Sequence, residues 1–117
     1  MVYDCWREVL EGGHLELVDK YLAENYMQHN PGVPTGRKGF VDFFSKFAKP
    51  QTIVDTIKAP VVAIVAEGNL VVISFASTLL EPTDSTKTYT TTWFDMFRIE
   101  NGKLAEHWDG VTKTKHQ

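Results

Sequence analysis

A short stretch near the carboxyl end of the chain constrains the fold more than any other. Residues 100–103 read Glu-Asn-Gly-Lys, and Asn-Gly between two apolar runs is the strongest short-range signal for a β-hairpin. The flanking runs extend the stretch over residues 93–109 and include three titratable side chains among apolar neighbours, Asp95, His107 and Asp109. The sequence therefore predicts an antiparallel hairpin that carries much of the polar chemistry of the chain.

The length of the turn decides which side chains share a face of this hairpin, because alternate residues of a strand point to opposite sides. A two-residue loop would place Asp95 opposite Trp108. A three-residue loop with Gly102 in the left-handed conformation would place Asp95 opposite His107. We prefer the longer loop because it gathers all three titratable groups on one aromatic face; the alternative is a sheet with scattered charges at its wet edge. The predicted face consists of Trp93, Asp95, Phe97, Ala105, His107 and Asp109.

The size and composition of the chain are those of one globular domain spanning residues 1–117. Hydrophobic residues make up 43% and charged residues 23%, and the net charge of −3 does not favour nucleic acid or an anionic membrane as a partner. Cys5 is the only cysteine, and its apolar neighbours predict a buried, unreactive thiol in a reducing compartment. No signal-peptide pattern and no membrane-spanning apolar run are found, so we expect a cytoplasmic protein.

The first half of the chain predicts three helices, since apolar residues recur there at helical spacing. The first helix covers residues 2–10 and ends before two glycines, and the second covers residues 15–26. The third covers residues 35–49, with Thr35 as its cap and a proline after its end. Phenylalanine repeats at positions i, i+3, i+4 and i+7 of the third helix, which indicates an amphipathic face. These positions are Phe40, Phe43, Phe44 and Phe47.

From residue 52 onward the pattern changes to that of a β-meander. Gly68-Asn69 predicts a two-residue hairpin turn, and residues 81–87 predict a longer polar turn. The runs on either side of Gly68 are apolar on both alternating faces, so we expect the sheet to be covered on both sides there. The predicted strands are residues 52–58, 60–67, 70–80, 88–98 and 103–111. Three helices followed by a curved antiparallel sheet describe an α+β domain.

The helices can cover only one face of such a sheet, and the opposite face would still carry large apolar side chains. In the preferred register that opposite face consists of Phe94, Met96, Arg98, Leu104, Glu106 and Trp108. A contiguous apolar set exposed on a sheet marks an interaction surface. A homodimer formed through the sheet is the simplest cover, because most soluble oligomers pair identical surfaces.

The chain resembles the SnoaL-like branch of the NTF2-like superfamily over nearly its whole length. The specific parts are the segment YMQHNPGVPTG at residues 26–36 and the hairpin FDMFRIENGKLAEHWD at residues 94–109. The resemblance implies a cone-shaped α+β barrel, a deep apolar cavity between sheet and helices, and usually a dimer. Characterised polyketide cyclases of this family close rings by cofactor-independent aldol chemistry, with an acid/base aspartate on the last strand.

The position that matches this aspartate is Asp109, and the matching neighbour two residues earlier is His107. Asn30 lies where the family has a polar residue that lines the pocket. The chain departs from the cyclases at Trp93 and Asp95, where they carry polar amide or imidazole groups. A larger ring and an additional carboxylate would narrow the cavity and change its charge.

The resemblance and the residues together predict cofactor-free acid/base chemistry on a small, largely apolar, carbonyl-containing ligand. Asp109 is expected to act as general base and acid, His107 to orient it or share its proton, and Asp95 to hold His107. His29 and Asn30 are expected to donate hydrogen bonds to a substrate oxygen. The predicted cavity walls are Tyr26, Phe40, Phe44, Phe47, Trp93 and Phe97.

Other interpretations of these residues remain open. The domain can be a non-catalytic module that binds a small ligand or dimerises. His107 and Asp109 together with His29 imitate a two-histidine, one-carboxylate iron site, although nothing else in the sequence supports one and we expect no bound metal or nucleotide. Asp109 is also explicable as a solvated strand end, and Asn30 as a turn-forming residue before proline. His14 and His116 are expected to be exposed and structural.

Overall fold

The protein has an α+β fold, as predicted, in which short helical segments pack against a five-stranded sheet. A computed structural model of the chain describes residues 1–113, and His116 lies outside them. The helical segments are α1 (Val2–Cys5), which continues as a π-helical segment (Trp6–Glu11), a 3-10 turn (Leu15–Leu17), α2 (Val18–Tyr21) and α3 (Arg37–Phe44). The strands are β1 (Leu22–Gln28), β2 (Val61–Glu67), β3 (Leu70–Glu81), β4 (Asp84–Glu100) and β5 (Lys103–Asp109). Among the described residues, none of these helices combines the length and the hydropathy that crossing a membrane requires.

The strands of the sheet are arranged in the order β1-β5-β4-β3-β2. Neighbours are antiparallel except for β1, which runs parallel to β5. The core lies between the helices and one face of this sheet, where apolar side chains from both meet. Its most completely buried large side chains are Val9, Val18, Leu22, Ile73 and Leu104.

The predicted second helix is wrong beyond Tyr21, because residues 22–28 form β1 instead. The backbone becomes extended at Leu22, with φ −99° and ψ 136°. β1 then pairs with β5, which places Gln28 beside His107. Without β1, β5 would be an open edge with unpaired amides, and covering that edge outweighs the helical propensity of the segment.

The predicted strand at residues 52–58 is also wrong, because its amide groups bond to side chains rather than to a neighbouring strand. The Ile57 N–H donates to the Tyr3 hydroxyl at 3.0 Å. The Lys58 and Ala59 N–H groups donate to the Glu11 carboxylate at 2.7 and 2.9 Å. This segment therefore holds the N-terminal helical segments against the rest of the protein, and its backbone N–H groups are hydrogen-bonded without a β-ladder.

The third helix is shorter than predicted, and Thr35 does not cap it. The helix follows Gly36, whose φ of 86° favours glycine. The Thr35 hydroxyl instead donates to the Tyr26 carbonyl and accepts from the Gln28 N–H, so it fastens the loop to β1. A turn at residues 45–47 replaces the end of the predicted helix. The Phe47 side chain consequently points outward and is 65% exposed.

The β3–β4 hairpin is longer than predicted. Pairing of Glu67 with Leu70 confirms the two-residue Gly68-Asn69 turn that leads into β3. β4 begins at Asp84, so a turn at residues 82–83 replaces the predicted polar turn. The expected cover on both sides of β2 is absent within the described chain, where Val62 and Val65 are each 62% exposed.

The register of the β4–β5 hairpin differs from both sequence alternatives. The preferred three-residue loop is wrong, because Glu100 pairs with Lys103 across a two-residue loop, in which Asn101 and Gly102 have φ values of 51° and 75°. Ala105 is then an extra residue in β5, since Ile99 pairs with Leu104 but Arg98 pairs with Glu106. Such a β-bulge shifts the register by one residue.

The bulge changes the predicted cross-strand pairs but preserves the grouping of the titratable side chains. Asp95 lies opposite Asp109, and Phe97 lies opposite His107, so the predicted pairing of Asp95 with His107 is wrong. The extra residue reverses the face of every later side chain, as the predicted longer loop would have done. Leu104 lies before the bulge and is buried in the core, so its predicted position on the outer face is wrong.

We predict that Gly102→Val lowers the free energy of unfolding by about 1 to 3 kcal/mol, because a β-branched residue is strained at positive φ. A Cβ at Gly102 meets no atom within 4 Å, so the effect would come from the backbone alone. Urea denaturation monitored by circular dichroism measures it. Gly110→Val is the matched control, since a Cβ there is equally unobstructed and its φ is not in the left-handed region. Equal midpoints for the two variants would contradict the turn geometry.

Candidate functional site

A cavity of about 370 Å³ lies between the helical segments and the inner face of the sheet. This volume is within the range of small-molecule sites. Its aromatic walls come from both layers: Trp6, Tyr26, Phe40, Phe44, Trp93 and Phe97. Its polar side chains are Glu11, Gln28, Asn30, Asp95, His107 and Asp109. Phe47, predicted as a wall, does not line the cavity.

Two carboxylates flank one imidazole nitrogen at the polar end of the cavity. His107 Nε2 lies 2.6 Å from Asp95 Oδ1 and 3.8 Å from Asp109 Oδ2. All three side chains are at least nine-tenths buried, with exposed fractions of 8%, 3% and 5% for His107, Asp95 and Asp109. Buried charged groups interact strongly because little water screens them. The arrangement can therefore hold and move a proton between groups that are within reach of a bound ligand.

Asp109 is fixed by two hydrogen bonds, one to each carboxylate oxygen. The Asn30 side-chain amide donates to Oδ2 at 3.0 Å. The Val111 backbone N–H donates to Oδ1 at 3.1 Å. Donors on both oxygens fix the orientation of the carboxylate. Asn30, predicted to contact substrate directly, thus also positions Asp109.

Sequence reasoning missed Gln28, whose side chain lies against the other nitrogen of His107. Gln28 Oε1 is 2.6 Å from His107 Nδ1. The residue was missed because residues 15–26 read as a helix that led into a loop. Once the segment is extended, side chains alternate between faces, and Tyr26, Gln28 and Asn30 all line the cavity. The polar pattern at every second position was the signal that could have revealed it.

Tyr26 provides a hydroxyl to the cavity as well as an aromatic wall. The residue is only 2% exposed, and its ring meets Phe40 edge-on at 6.0 Å between centroids. Burial raises the pKa of the Tyr26 hydroxyl, and negative charge on Asp95 and Asp109 raises it further. The group therefore stays protonated over the physiological range and can act as a hydrogen-bond donor.

His29 lies outside the cavity, which contradicts its predicted role at the substrate. Strand alternation turns it to the opposite face from Gln28, where it stacks on Trp108 with 5.1 Å between ring centroids. His29 Nε2 lies 2.6 Å from Glu106 Oε2, and Arg98 Nε donates to the other Glu106 oxygen at 2.8 Å. The hydrogen bond from Arg98 lowers the pKa of Glu106 most, and the contact with His29 lowers it further.

The position of His29 also removes the iron site that would combine it with His107 and Asp109. Among the described residues, the group that could still hold a metal ion is Asp95, His107 and Asp109, whose ligand atoms lie within 4.8 Å of one another. Its only imidazole is engaged on both nitrogens, with Gln28 on one side and Asp95 on the other. A metal would therefore have to displace the short bond between Asp95 and His107, so the donor set fits proton transfer better than metal binding.

Cys5 lines the cavity but is not activated as a nucleophile. Its residue is 4% exposed, and burial, with a smaller contribution from Glu8, raises the pKa of the thiol to about 12. Thiolate is the reactive form, and a thiol with that pKa is thiolate in only about one molecule in ten thousand at pH 8. The positive charge of the N-terminus lowers this pKa only slightly, so burial outweighs it, unlike at the sites of catalytic cysteines.

We predict that Cys5 resists alkylation in the folded protein. Iodoacetamide at about pH 8, where an unperturbed thiol is substantially ionised, should modify the native chain at least tenfold more slowly than the chain in urea. Intact-protein mass spectrometry over time measures both rates on the same single thiol. Equal rates would show that the thiol is accessible and ionised.

Comparison with known proteins adds a family and a fold. The sequence profile of the SnoaL-like domain matches residues 4–107. No curated protein matches the sequence. Similar solved structures include a candidate polyketide cyclase from Acidithiobacillus ferrooxidans, which is 22% identical with a TM-score of 0.64, over 91% of this chain and 81% of that one.

Two further solved structures have the same fold. An LEH-like epoxide hydrolase from M. tuberculosis is 14% identical, with a TM-score of 0.61 over 91% of this chain and 76% of that one. A protein from Catenulispora acidiphila with a ketosteroid isomerase-like fold, in complex with trimethylamine, is 12% identical, with a TM-score of 0.60 over 93% and 83% of the two chains. Identities this low establish the architecture and leave the chemistry to the cavity itself.

Proposed function

We propose, since this chain belongs to the SnoaL-like domain family, that it is a small-molecule enzyme that works by general acid/base catalysis without a cofactor. Its substrate is a small, largely apolar carbonyl compound, and the reaction is of the aldol (cyclase), isomerase or dehydratase type. The observation that carries this proposal is the buried group of Asp95, His107 and Asp109 at the polar end of an aromatic cavity. We further propose that residues 1–117 form a single domain.

Asp109 is the proposed general base. Its carboxylate is held by Asn30 and the Val111 amide, whereas Asp95 is engaged with His107. In the reaction, the Asp109 carboxylate takes the proton from a carbon next to the substrate carbonyl. The electron pair of that C–H bond forms a carbon–carbon double bond, and the π pair of the carbonyl moves onto oxygen, which gives an enolate. Asp109 then returns the proton to a different atom, which completes an isomerisation, or to the leaving group of a dehydration.

The enolate oxygen needs hydrogen-bond donors inside a cavity that excludes water. The Tyr26 hydroxyl stays protonated and lines the cavity. The Asn30 amide has two protons and uses one of them on Asp109, so the second is free to bond a ligand. His107 with Asp95 is the third donor. These three groups take over the hydrogen bond to the substrate oxygen that the sequence predicted for His29.

The charge of the cavity limits the kind of substrate it accepts. Within the described part of the chain, its lining contains Glu11, Asp95 and Asp109 but no lysine or arginine. Both Glu11 oxygens accept hydrogen bonds from backbone amides, and the other two acidic side chains lie at the catalytic end. A carboxylate or phosphate on the substrate would meet like charge where water cannot screen it. A neutral ketone or aldehyde with an aromatic or alicyclic body therefore fits best, because the aromatic walls can pack against it.

We predict that the protein accelerates exchange of α-hydrogens for deuterium in neutral aryl ketones dissolved in D2O. This measurement detects general-base catalysis without knowledge of the natural product. Proton NMR of a ketone panel gives the exchange rate, and Asp109→Asn should lower it about a hundredfold or more, the usual contribution of a general base. Glu106→Gln is the control, because Glu106 is similarly shielded but lies on the other face of the sheet.

Exchange that persists in Asp109→Asn would overturn the assignment of the base. Native mass spectrometry of the purified protein provides a second arm, because it identifies a small molecule that copurifies in the cavity. A copurified carbonyl compound that shows no exchange and no conversion would favour the non-catalytic binding module instead.

We also propose that the protein is a homodimer formed through the outer face of the sheet. Cross-strand pairing aligns one apolar row across four strands, consisting of Val65, Val72, Met96 and Trp108. Phe94 lies on the same face and is 57% exposed, and Val65 is 62% exposed. Val72, Met96 and Trp108 are half-buried, and together with the exposed Val65 and Phe94 they form a continuous apolar surface of the kind that marks an interface. A twofold partner would present the same surface in return.

We predict a dimer at micromolar concentration by size-exclusion chromatography with light scattering. Phe94→Glu should convert it to a monomer, because the charge would be buried without a partner. Phe47→Glu is the matched control, since Phe47 is also exposed but lies on the turn after α3. A monomeric wild-type protein, or equal effects of both variants, would contradict this interface.

The remaining proposals follow from charge and from the single thiol. A net charge of −3 supports a protein that does not bind nucleic acid or an anionic membrane surface. The lone, buried Cys5 supports a location in a reducing compartment, which we propose is the cytoplasm. The proposed partners are thus a neutral small molecule and a second copy of the chain.

A further inference from the structure

The side chain of Gln28 connects the backbone at Asn30 to the ring of His107. Gln28 Oε1 lies 3.1 Å from the Asn30 backbone nitrogen and 2.6 Å from His107 Nδ1. A backbone N–H can only donate, so the Gln28 atom that faces Asn30 must be the carbonyl oxygen. The same oxygen faces His107, and an oxygen acceptor requires a donor opposite it. His107 Nδ1 therefore carries a proton.

A proton on Nδ1 determines the state of the other side of the ring. His107 Nε2 lies 2.6 Å from Asp95 Oδ1, which is a hydrogen-bond distance. Because the ring proton is already on Nδ1, this bond requires a second proton, which resides on Nε2 or on Asp95. In either case the pair has no net charge. A ring protonated at Nε2 alone would leave the pair with one negative charge and one proton fewer.

We propose that Gln28 is a positioning residue that keeps His107 protonated at Nδ1 and thereby keeps the Asp95–His107 pair loaded with a transferable proton. Gln28 acts through His107. The inference depends on the proposed acid/base function for its chemical meaning. In that reaction the substrate proton goes to Asp109, the C–H electron pair forms a carbon–carbon double bond, and the carbonyl π pair moves onto oxygen. The proton between His107 and Asp95 passes to that oxygen and returns to the pair when the carbonyl re-forms.

Two other features of the site agree with a loaded, neutral pair. Asp95 Oδ2 is buried with no hydrogen-bond partner among residues 1–113, and full negative charge on a carboxylate is unfavourable when one oxygen has no donor. Asp109 Oδ2 lies 3.8 Å from Nε2, beyond hydrogen-bond distance. The second proton therefore belongs to the bond with Asp95, and Asp109 does not share it.

The test is long-range nitrogen–proton NMR of the imidazole rings in uniformly ¹⁵N-labelled protein at neutral pH, since the two ring nitrogens have distinct shifts when protonated and bare. His107→Gln identifies the His107 signals by their loss. We expect Nδ1 of the wild-type ring to be protonated. Gln28→Leu should leave Nδ1 bare, with the proton on Nε2 and donated to the Asp95 carboxylate. Gln28→Glu retains an acceptor oxygen and should restore the Nδ1 proton.

His29 serves as an internal control, because its ring bonds Glu106 outside the cavity and should not change in the Gln28 variants. A bare Nδ1 in the wild type would overturn the proposal without any variant, so a Gln28→Leu protein that does not fold cannot rescue it. A Gln28→Leu ring still protonated at Nδ1 would overturn it as well. The ring spectrum is independent of turnover, so failure of ketone exchange with the expected spectrum would refute the proposed function while leaving the role of Gln28 intact.

Discussion

The short, buried contact between Asp95 and His107 depends on a single extra residue in the last strand. A two-residue turn alone would place Asp95 opposite Trp108, on the opposite side of the sheet from His107. Ala105 is inserted between Leu104 and Glu106 and reverses the face of everything that follows. The core keeps Leu104, and the cavity gains an imidazole and a second carboxylate. A β-bulge next to a functional site commonly has this role of re-aiming side chains.

Local sequence signals predicted the elements that are local in the fold. The position of the Asn101-Gly102 turn, the Gly68-Asn69 turn and the α+β class could be read from short patterns, whereas the preferred length of the Asn101-Gly102 loop was wrong. The strand β1 could not, because its residues favour a helix and its partner β5 lies at the far end of the chain. The bulge at Ala105 was equally hidden, since an alanine among apolar residues carries no turn signal.

The errors about the site follow from the error about β1. Treating the segment as helix and loop made His29 and Asn30 equivalent, whereas an extended chain separates them to opposite faces. His29 consequently belongs to the exposed cluster with Glu106, and Gln28 takes its place beside His107. The grouping of the two aspartates with His107 could be predicted from the sequence, because any register that puts the three side chains on one face of the sheet brings them together.

The site depends on the bulge, and the central claim is that the bulge brings Asp95 and Asp109 directly opposite each other on the cavity face. Cross-strand nuclear Overhauser contacts between the backbones of β4 and β5 in solution test this claim most directly. The predicted contacts join Asp95 to Asp109 and Phe97 to His107, together with Glu100 to Lys103 at the turn. Contacts that join Asp95 to Trp108 would mean that no residue is inserted and that Asp95 faces away from His107. That result would contradict the site and the chemistry proposed for it.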